Sequence, residues 1–369
     1  MKKMMLILVL DILIAALILG GIYGINYLLP QKGIQNQTAL QTTRGKASVS
    51  GNENKDQVQQ QSSSEDQTDR AKKLQSLVDS HSGGMQTTKI SLDTQDWHRK
   101  FADKFTDQIV STDTSYTSPD LSVSLTYGSY KTKRLDRSEN GNHKKYGTDV
   151  SYVLADVYVG DITCLQTCFA QNTYGVGYSE KLTDMSDRMK AVLAVNGDSY
   201  SNSRHKDNGT IIRNGVIYRA QPSDMETCVL NWDGTMKIYD PGETDLQQLI
   251  DSGAYQSWIF GPSLLDDNGK ARTEFRTWPY IMESHPRTAI GYYEPGHYCL
   301  LVADGRQSST RGMFPDEMAA LFEQLGCKAA YNLDGGHCSF MTLQSQVKNH
   351  PYKPEHEIQD GIFIMEGLQ

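Results

Sequence analysis

The chain has 369 residues, a formal net charge of −8 and no basic stripe interleaved with aromatics, which excludes a general nucleic-acid binder and suits a soluble surface. Its six cysteines, Cys164, Cys168, Cys228, Cys299, Cys327 and Cys338, include no C-x-x-C pair, so a zinc ribbon or thioredoxin-like motif is excluded as well. Most are expected as small buried apolar residues, and in an oxidising compartment some can pair as disulfides.

Residues 4–29 are apolar apart from Asp11, Asn26 and scattered glycine and tyrosine. At 1.5 Å per residue such a helix is about 39 Å long, enough to cross a bilayer with some tilt. Lys2 and Lys3 precede it and favour an N-inside, C-outside orientation. The competing reading, a cleaved signal peptide, calls for a shorter apolar run and a clearer small-residue cleavage site. Residues 1–30 are therefore assigned to a transmembrane anchor, with the rest of the chain outside the cell. Asp11 within the span marks either a partner helix or a tolerated defect, since a mid-membrane carboxylate costs about 2.5–3.5 kcal/mol.

Residues 31–92 are rich in Gln, Ser, Thr, Asn and Lys and lack the apolar surface to offset chain entropy, as in a disordered stalk. Residues 93–117 form a short helix and connector. Trp97, Phe101, Phe105 and Ile109 recur every fourth position, which predicts one apolar face over 93–109 and a helix capping the domain.

The folded domain is assigned to 118–369. Alternation of apolar and polar residues predicts strands at 121–127 and 151–159. A short helix at 184–190 leads into a continuous apolar strand at 191–195. Asn214-Gly215 reads as a tight turn opening a strand to 218, and Asp233-Gly234 as the tip of a hairpin over 229–239. Residues 258–265 read as strand-like around Gly261-Pro262, with a turn at 267–269. Two strands at 288–292 and 298–303 flank Glu294-Pro295-Gly296. Pro315, Asp316 and Glu317 then suit a helix N-terminus and Gly326 suits its C′ position, so 315–325 is helical, with Met318, Leu321, Phe322 and Leu325 as the buried stripe. A strand at 329–333 follows. The fold class is α+β, a mixed strand-rich domain with at least one β-α-β crossover, preceded by the transmembrane helix and disordered stalk.

Three apolar strands end in polar, glycine-rich clusters: Asn196-Gly197-Asp198, Asp304-Gly305-Arg306, and Asn332-Leu333-Asp334-Gly335-Gly336-His337. The last two flank the 315–325 helix. If their strands share a sheet, the crossover makes them parallel and both clusters emerge at one edge, where such sheets bind ligands. Any one Asp-Gly pair is an ordinary turn. The two carboxylates and the arginine of the two clusters on one edge can orient a polar anionic substrate.

HPRTAIG (285–291), LLVADGRQSSTRGM (300–313) and AAYNLDGGHCSFM (329–341) resemble the phosphodiester glycosidase family, with AVNGDSY (194–200) and FGPSLL (260–265) similar to its earlier blocks. The resemblance runs from about residue 152 onward and leaves out anchor and stalk. It implies hydrolysis of a sugar C1–O–phosphate bond. A phosphate leaving group needs charge neutralisation, for which Arg287 and Arg306 are the candidates. The oxocarbenium-like transition state needs a carboxylate as nucleophile or base, for which Asp304 and Asp334 are the candidates. Asn196, Asp198 and Asn332 are the candidates for sugar hydroxyls or phosphate, and Gly335 and Gly336 for presenting backbone amides to an oxyanion. Gly197, Gly305, His337 and Ser339 complete the implied binding set.

The chain departs from the family pattern twice. His337-Cys338-Ser339 follows the two glycines where a further small residue is expected, and His337 is either a proton carrier or a loop histidine. Asp198 stands where a small residue is common and can add a ligand for a divalent cation such as Ca²⁺, although carboxylates alone establish no metal and no cofactor is required. The leading expectation is thus an extracellular hydrolase of sugar-1-phosphodiesters in cell-envelope polysaccharide or sugar-phosphate polymer metabolism. Its partners are a sugar-phosphate or glycan substrate and the membrane. One alternative is a metal-dependent phosphodiesterase cleaving P–O, with Asp198, Asp304, Asp334 and His337 as ligands. Another is a non-catalytic glycan-binding module in exopolysaccharide assembly.

Overall fold

The computed structural model describes residues 34–35, 85–88, 95–136, 146–202, 205 and 207–367. The 1–30 segment assigned to the anchor, and nearly all of the stalk, lie outside these residues. Among the described residues no helix is long and apolar enough to cross a membrane.

Two antiparallel sheets dominate. The larger has seven strands in the order Ala329–Asn332, Arg287–Glu294, His297–Ala303, Val150–Val159, Leu121–Tyr130, Ser115–Thr117 and Val110–Ser111. The smaller has five, in the order Gln346–Val347, Met341–Leu343, Leu193–Asn196, Asp360–Ile364 and Leu165–Phe169. Their inward residues meet in one core: Val153, Ile290 and Leu300 come from the larger sheet, and Leu193, Val195 and Ile362 from the smaller. Two three-stranded sheets flank this pair.

The expected crossover is present with one strand interposed. Helix Pro315–Leu325 links His297–Ala303 to Ala329–Asn332. Both strands pair antiparallel with Arg287–Glu294, which lies between them, so the two run in the same direction. The helix buries Met318, Ala319 and Phe322. Gly291 makes room for it, since a Cβ there would stand 2.7 Å from the Phe322 ring. The Glu317 carboxylate accepts the Phe314 amide at 3.0 Å, and Gly326 at φ 81° closes the C-terminus.

Several elements differ from the sequence pattern. The helix before the domain covers only Gln95–Lys100. Trp97 and Phe101 are buried as capping residues and Phe105 packs partly on the core, but Ile109 is 62% exposed, because the chain leaves helical geometry before that turn. The strand expected at 258–265 lies earlier, at Ala254–Trp258. Beyond it the backbone turns through a cis Gly261-Pro262 peptide, and the amides of Ile259 and Phe260 bond a side chain instead of a ladder. Residues 85–88, placed in the stalk by composition, extend the fold: Met85–Gln86 pairs with Val216–Ala220, and the Thr87 amide donates to Gly215 O at 2.8 Å. Ile34–Gln35 pairs with Thr173–Tyr174. The Asn214-Gly215 turn is as expected, both residues having positive φ, 52° and 77°.

Candidate active site

The register of the larger sheet brings its two polar clusters together. Arg287 faces Ala303 and Ala289 faces Asn332, so residues 304–306 and 333–337 leave the sheet at one edge. The third cluster arrives from the smaller sheet. Asn196, at the end of Leu193–Asn196, donates its amide to Asp334 O at 2.6 Å and accepts the Thr288 hydroxyl at 2.6 Å. The Asp334 amide donates to Gly197 O at 3.1 Å. Gly197 is required by this close approach, because a Cβ there would lie 2.4 Å from Asp360 Oδ1.

Three charged side chains stand at this edge. Asp334 is half-buried, and one of its oxygens accepts the Gly335 amide at 2.8 Å. Burial pushes its carboxyl up to about 6, against the opposing pull of the Gly335 amide and the Cys338 thiol. Asp304 is buried. Its Oδ1 accepts the Asn349 amide group at 3.1 Å and the His350 backbone amide at 2.8 Å, and His350 Nδ1 lies 3.7 Å from Oδ2. Burial raises its pKa too, opposed by the Asn349 and His350 bonds. Arg306, at φ 57°, donates to Tyr352 OH at 2.9 Å and approaches His285 Nδ1 at 3.3 Å. Because His285 Nε2 faces the Tyr280 carbonyl at 2.7 Å, Nε2 carries the proton and Nδ1 accepts from the guanidinium. Gly336 has φ 70°, and a Cβ on it would stand 3.2 Å from both Nη atoms of Arg306.

The other expected residues serve the frame around this edge. Arg287 is buried and donates to the carbonyls of Met313, Ile281 and Glu283, which fixes the 281–283 and 313 backbone. Burial and then Arg306 push its pKa down. Asp198 is buried, with Oδ2 bonded to the Ile259 amide at 2.8 Å and Oδ1 to the Phe260 amide at 2.9 Å. Asn332 is buried and donates to Gly261 O. Ser339 is buried, and its carbonyl accepts from Asn349. The amides suggested for an oxyanion are already engaged, Gly335 with Asp334 and Gly336 with Pro286 O at 2.8 Å. A Cβ on Gly305 would lie 2.7 Å from Gly312 Cα, so that glycine serves backbone packing. His337 turns outward, with Nε2 2.7 Å from Pro354 O. Asp198, Asp304, Asp334 and His337 are not gathered into one ligand set, and among the described residues no group of three or more His, Cys, Asp or Glu is placed to hold a metal ion.

Two features were absent from the sequence reading. The first is the strap 349–356, which holds Asp304 through Asn349 and His350 and Arg306 through Tyr352. Its only sequence signal is Pro351 and Pro354, which favour an extended connection. The second is a buried ionic knot under the edge. Arg213 binds Asp360 Oδ2 through Nε at 2.9 Å and stands 3.6 Å from Asp198, while Asp360 Oδ1 accepts the Asp198 amide at 2.6 Å. Two carboxylates share one guanidinium, so burial raises both carboxyl pKa values against its pull.

A half-buried carboxylate and an arginine share this edge, which is assembled from two sheets and can receive a polar anionic group. Residues 189–365 match the family model described as phosphodiester glycosidase. Among curated proteins the chain is similar to the SPbeta prophage-derived uncharacterized protein YomE of Bacillus subtilis (strain 168), at 33% identity over 193 residues. That match takes in 51% of this chain and 29% of the relative, so the chain spans under a third of that protein's length. Among solved structures the fold is similar to the zebrafish N-acetylglucosamine-1-phosphodiester alpha-N-acetylglucosaminidase catalytic domain, auto-inhibited by its pro-peptide. The TM-score is 0.52 at 19% identity, over 70% of this chain and 87% of that one.

Proposed function

We propose that the chain hydrolyses the C1–O bond of sugar-1-phosphodiesters, with Arg306 neutralising the departing phosphate and Asp334 acting at C1. The observation that carries this is the seat of the Arg306 guanidinium against Gly336, two residues from Asp334. A phosphate leaves with little protonation but needs its charge met, which a guanidinium does. With its carboxyl held near 6, Asp334 is mostly ionised at neutral pH and available as nucleophile or as base for water. Asp304, buried under the strap, positions Asn349 and His350. The apolar 4–29 segment supports a single-pass anchor with the domain outside the cell, acting on envelope polysaccharide or sugar-phosphate polymer. Protease treatment of intact cells is expected to remove the domain; full protection overturns that location.

Turnover of a sugar-1-phosphate methyl diester by the full chain in ¹⁸O water tests the reaction. Label is expected in the released sugar. Label in the phosphate means P–O cleavage and overturns the proposal. Asp334→Ala is expected to lower kcat at least about a hundredfold with the fold intact by circular dichroism.

A further inference from the structure

We infer that the strap 349–356, together with His337, forms a subsite for a second phosphate in the leaving group. This rests on the reaction proposed above, and it starts from a charge that one phosphodiester leaves unexplained. A single diester anion is met by Arg306 alone. Yet from Arg306 outward the structure continues a run of cationic and aromatic groups. The Tyr352 ring has the Arg306 guanidinium 5.4 Å and Lys353 Nζ 5.6 Å from its centre. His337 lies 5.5 Å from the same ring and stacks on His356 at 4.8 Å, with planes 13° apart.

The carboxylates of this segment are turned elsewhere. Glu355 is bound to the Thr183 amide at 2.9 Å and hydroxyl at 2.7 Å, and Glu357 to the Ser179 hydroxyl. Arg306, His337, Lys353 and His356 therefore stand together with no acidic partner given to any of them by the strap, which is the arrangement an anion fits. His337 donates its Nε2 proton to Pro354 O, which leaves Nδ1 facing away from that carbonyl. Burial followed by the stacked His337 lowers the His356 pKa, with Glu357 acting the other way. A bound polyanion reverses that balance and draws a proton onto His356. The other charged or titratable groups around them are His285, Arg306, Tyr352, Lys353, Glu355 and Glu357, of which Glu355 is held by Thr183 and Glu357 by Ser179. Binding is thus expected to tighten from about pH 8 to about pH 6, across the histidine range.

A second phosphate can come from a nucleoside diphosphate sugar or from the next repeat of a sugar-phosphate polymer. The test uses the full chain and needs no turnover: affinities for inorganic pyrophosphate and inorganic phosphate by calorimetry. Pyrophosphate is expected to bind about tenfold tighter or more, the size of one added charge-assisted contact. Lys353→Gln and His356→Gln, both at exposed positions, are each expected to reduce that ratio to about twofold, on the same scale. Equal affinities in the wild type, or a ratio untouched by both substitutions, overturn the subsite. Kinetics then separate the sources. A UDP-sugar and a two-repeat sugar-phosphate oligomer are each compared with the methyl diester. The ester whose advantage in kcat/KM falls in the two variants identifies the source, and an advantage in neither overturns the proposal. Failure to turn over any ester, with the pyrophosphate preference intact, counts against the reaction and not against the subsite.

Discussion

In the proposed reaction Asp334 stands between two demands, since attack at C1 would need its charge and its half-buried seat resists that charge. With the carboxyl held up to about 6, kcat/KM is expected to rise with pH through that value, and Asp334→Asn is expected to remove the limb along with the activity. Stability has the opposite sign. A carboxyl raised above its unfolded value favours the fold below the unfolded pKa, and that contribution is lost as pH rises through the folded one. Asp334→Asn should therefore gain Tm relative to the wild type between about pH 4 and pH 7, the window set by the two values; a gain that shrinks with pH contradicts the assignment. The ionic knot gives a second residue-scale test. Arg213→Met leaves Asp198 and Asp360 buried without a cation, a loss of about 3–5 kcal/mol near neutrality. Urea melts should show part of that loss recovered at about pH 5, as the carboxyls take up protons. The places of Asp334 and Arg306 on the edge were legible in the sequence because each follows a strand end with glycines beside it. Those of Asp198, Asn332 and Arg287 were not. A strand-end polar residue facing substrate and one facing backbone amides look the same until the opposite chain is in place.

Helix Pro315–Leu325 was readable to its ends because the signals are local: proline in the first turn, glycine at C′ and an apolar stripe. It holds the strands bearing Asp304 and Asn332 in one direction, with Phe322 filling the space above Gly291. Phe322→Ala is expected to cost about 3–5 kcal/mol in a denaturant melt, with activity falling as the two strand ends loosen. Gly312 is the tighter constraint. It has φ 103°, and a Cβ on it would lie 2.3 Å from the His285 backbone, where Met313 and His285 exchange hydrogen bonds of 3.0 and 3.2 Å. Gly312→Ala should displace His285 and, through it, Arg306. The expected readout is a loss in kcat/KM larger than the loss in stability, and an unchanged kcat/KM counts against the His285–Arg306 contact. The strands Leu165–Phe169, Met341–Leu343 and Asp360–Ile364 escaped the sequence reading. They are short and buried on both faces, so they show no alternation.

Across the whole molecule the site belongs to neither sheet alone, because Asn196 of the smaller sheet fastens the Asp334 backbone of the larger. The folded unit also reaches further toward the N-terminus than composition indicated. Thr87 Oγ lies 2.7 Å from Ala254 O, and Met85 packs on a core cluster with Ile217 and Leu249. A chain started at residue 93 is expected to melt several degrees below one started at residue 80, and equal melting temperatures would show that 85–88 add nothing. Composition missed this strand because two residues of sheet carry no periodicity. The placement of Asp360–Ile364, inside the smaller sheet between Leu193–Asn196 and Leu165–Phe169, has a consequence in time. A ribosome delivers that strand after every other strand described and after every candidate catalytic side chain. Until it emerges, Arg213 lacks its main counter-ion and Leu193–Asn196 lacks a neighbour. The candidate catalytic side chains therefore leave the ribosome before the strand that completes the smaller sheet, and the edge they share takes its final form only once that strand is in place.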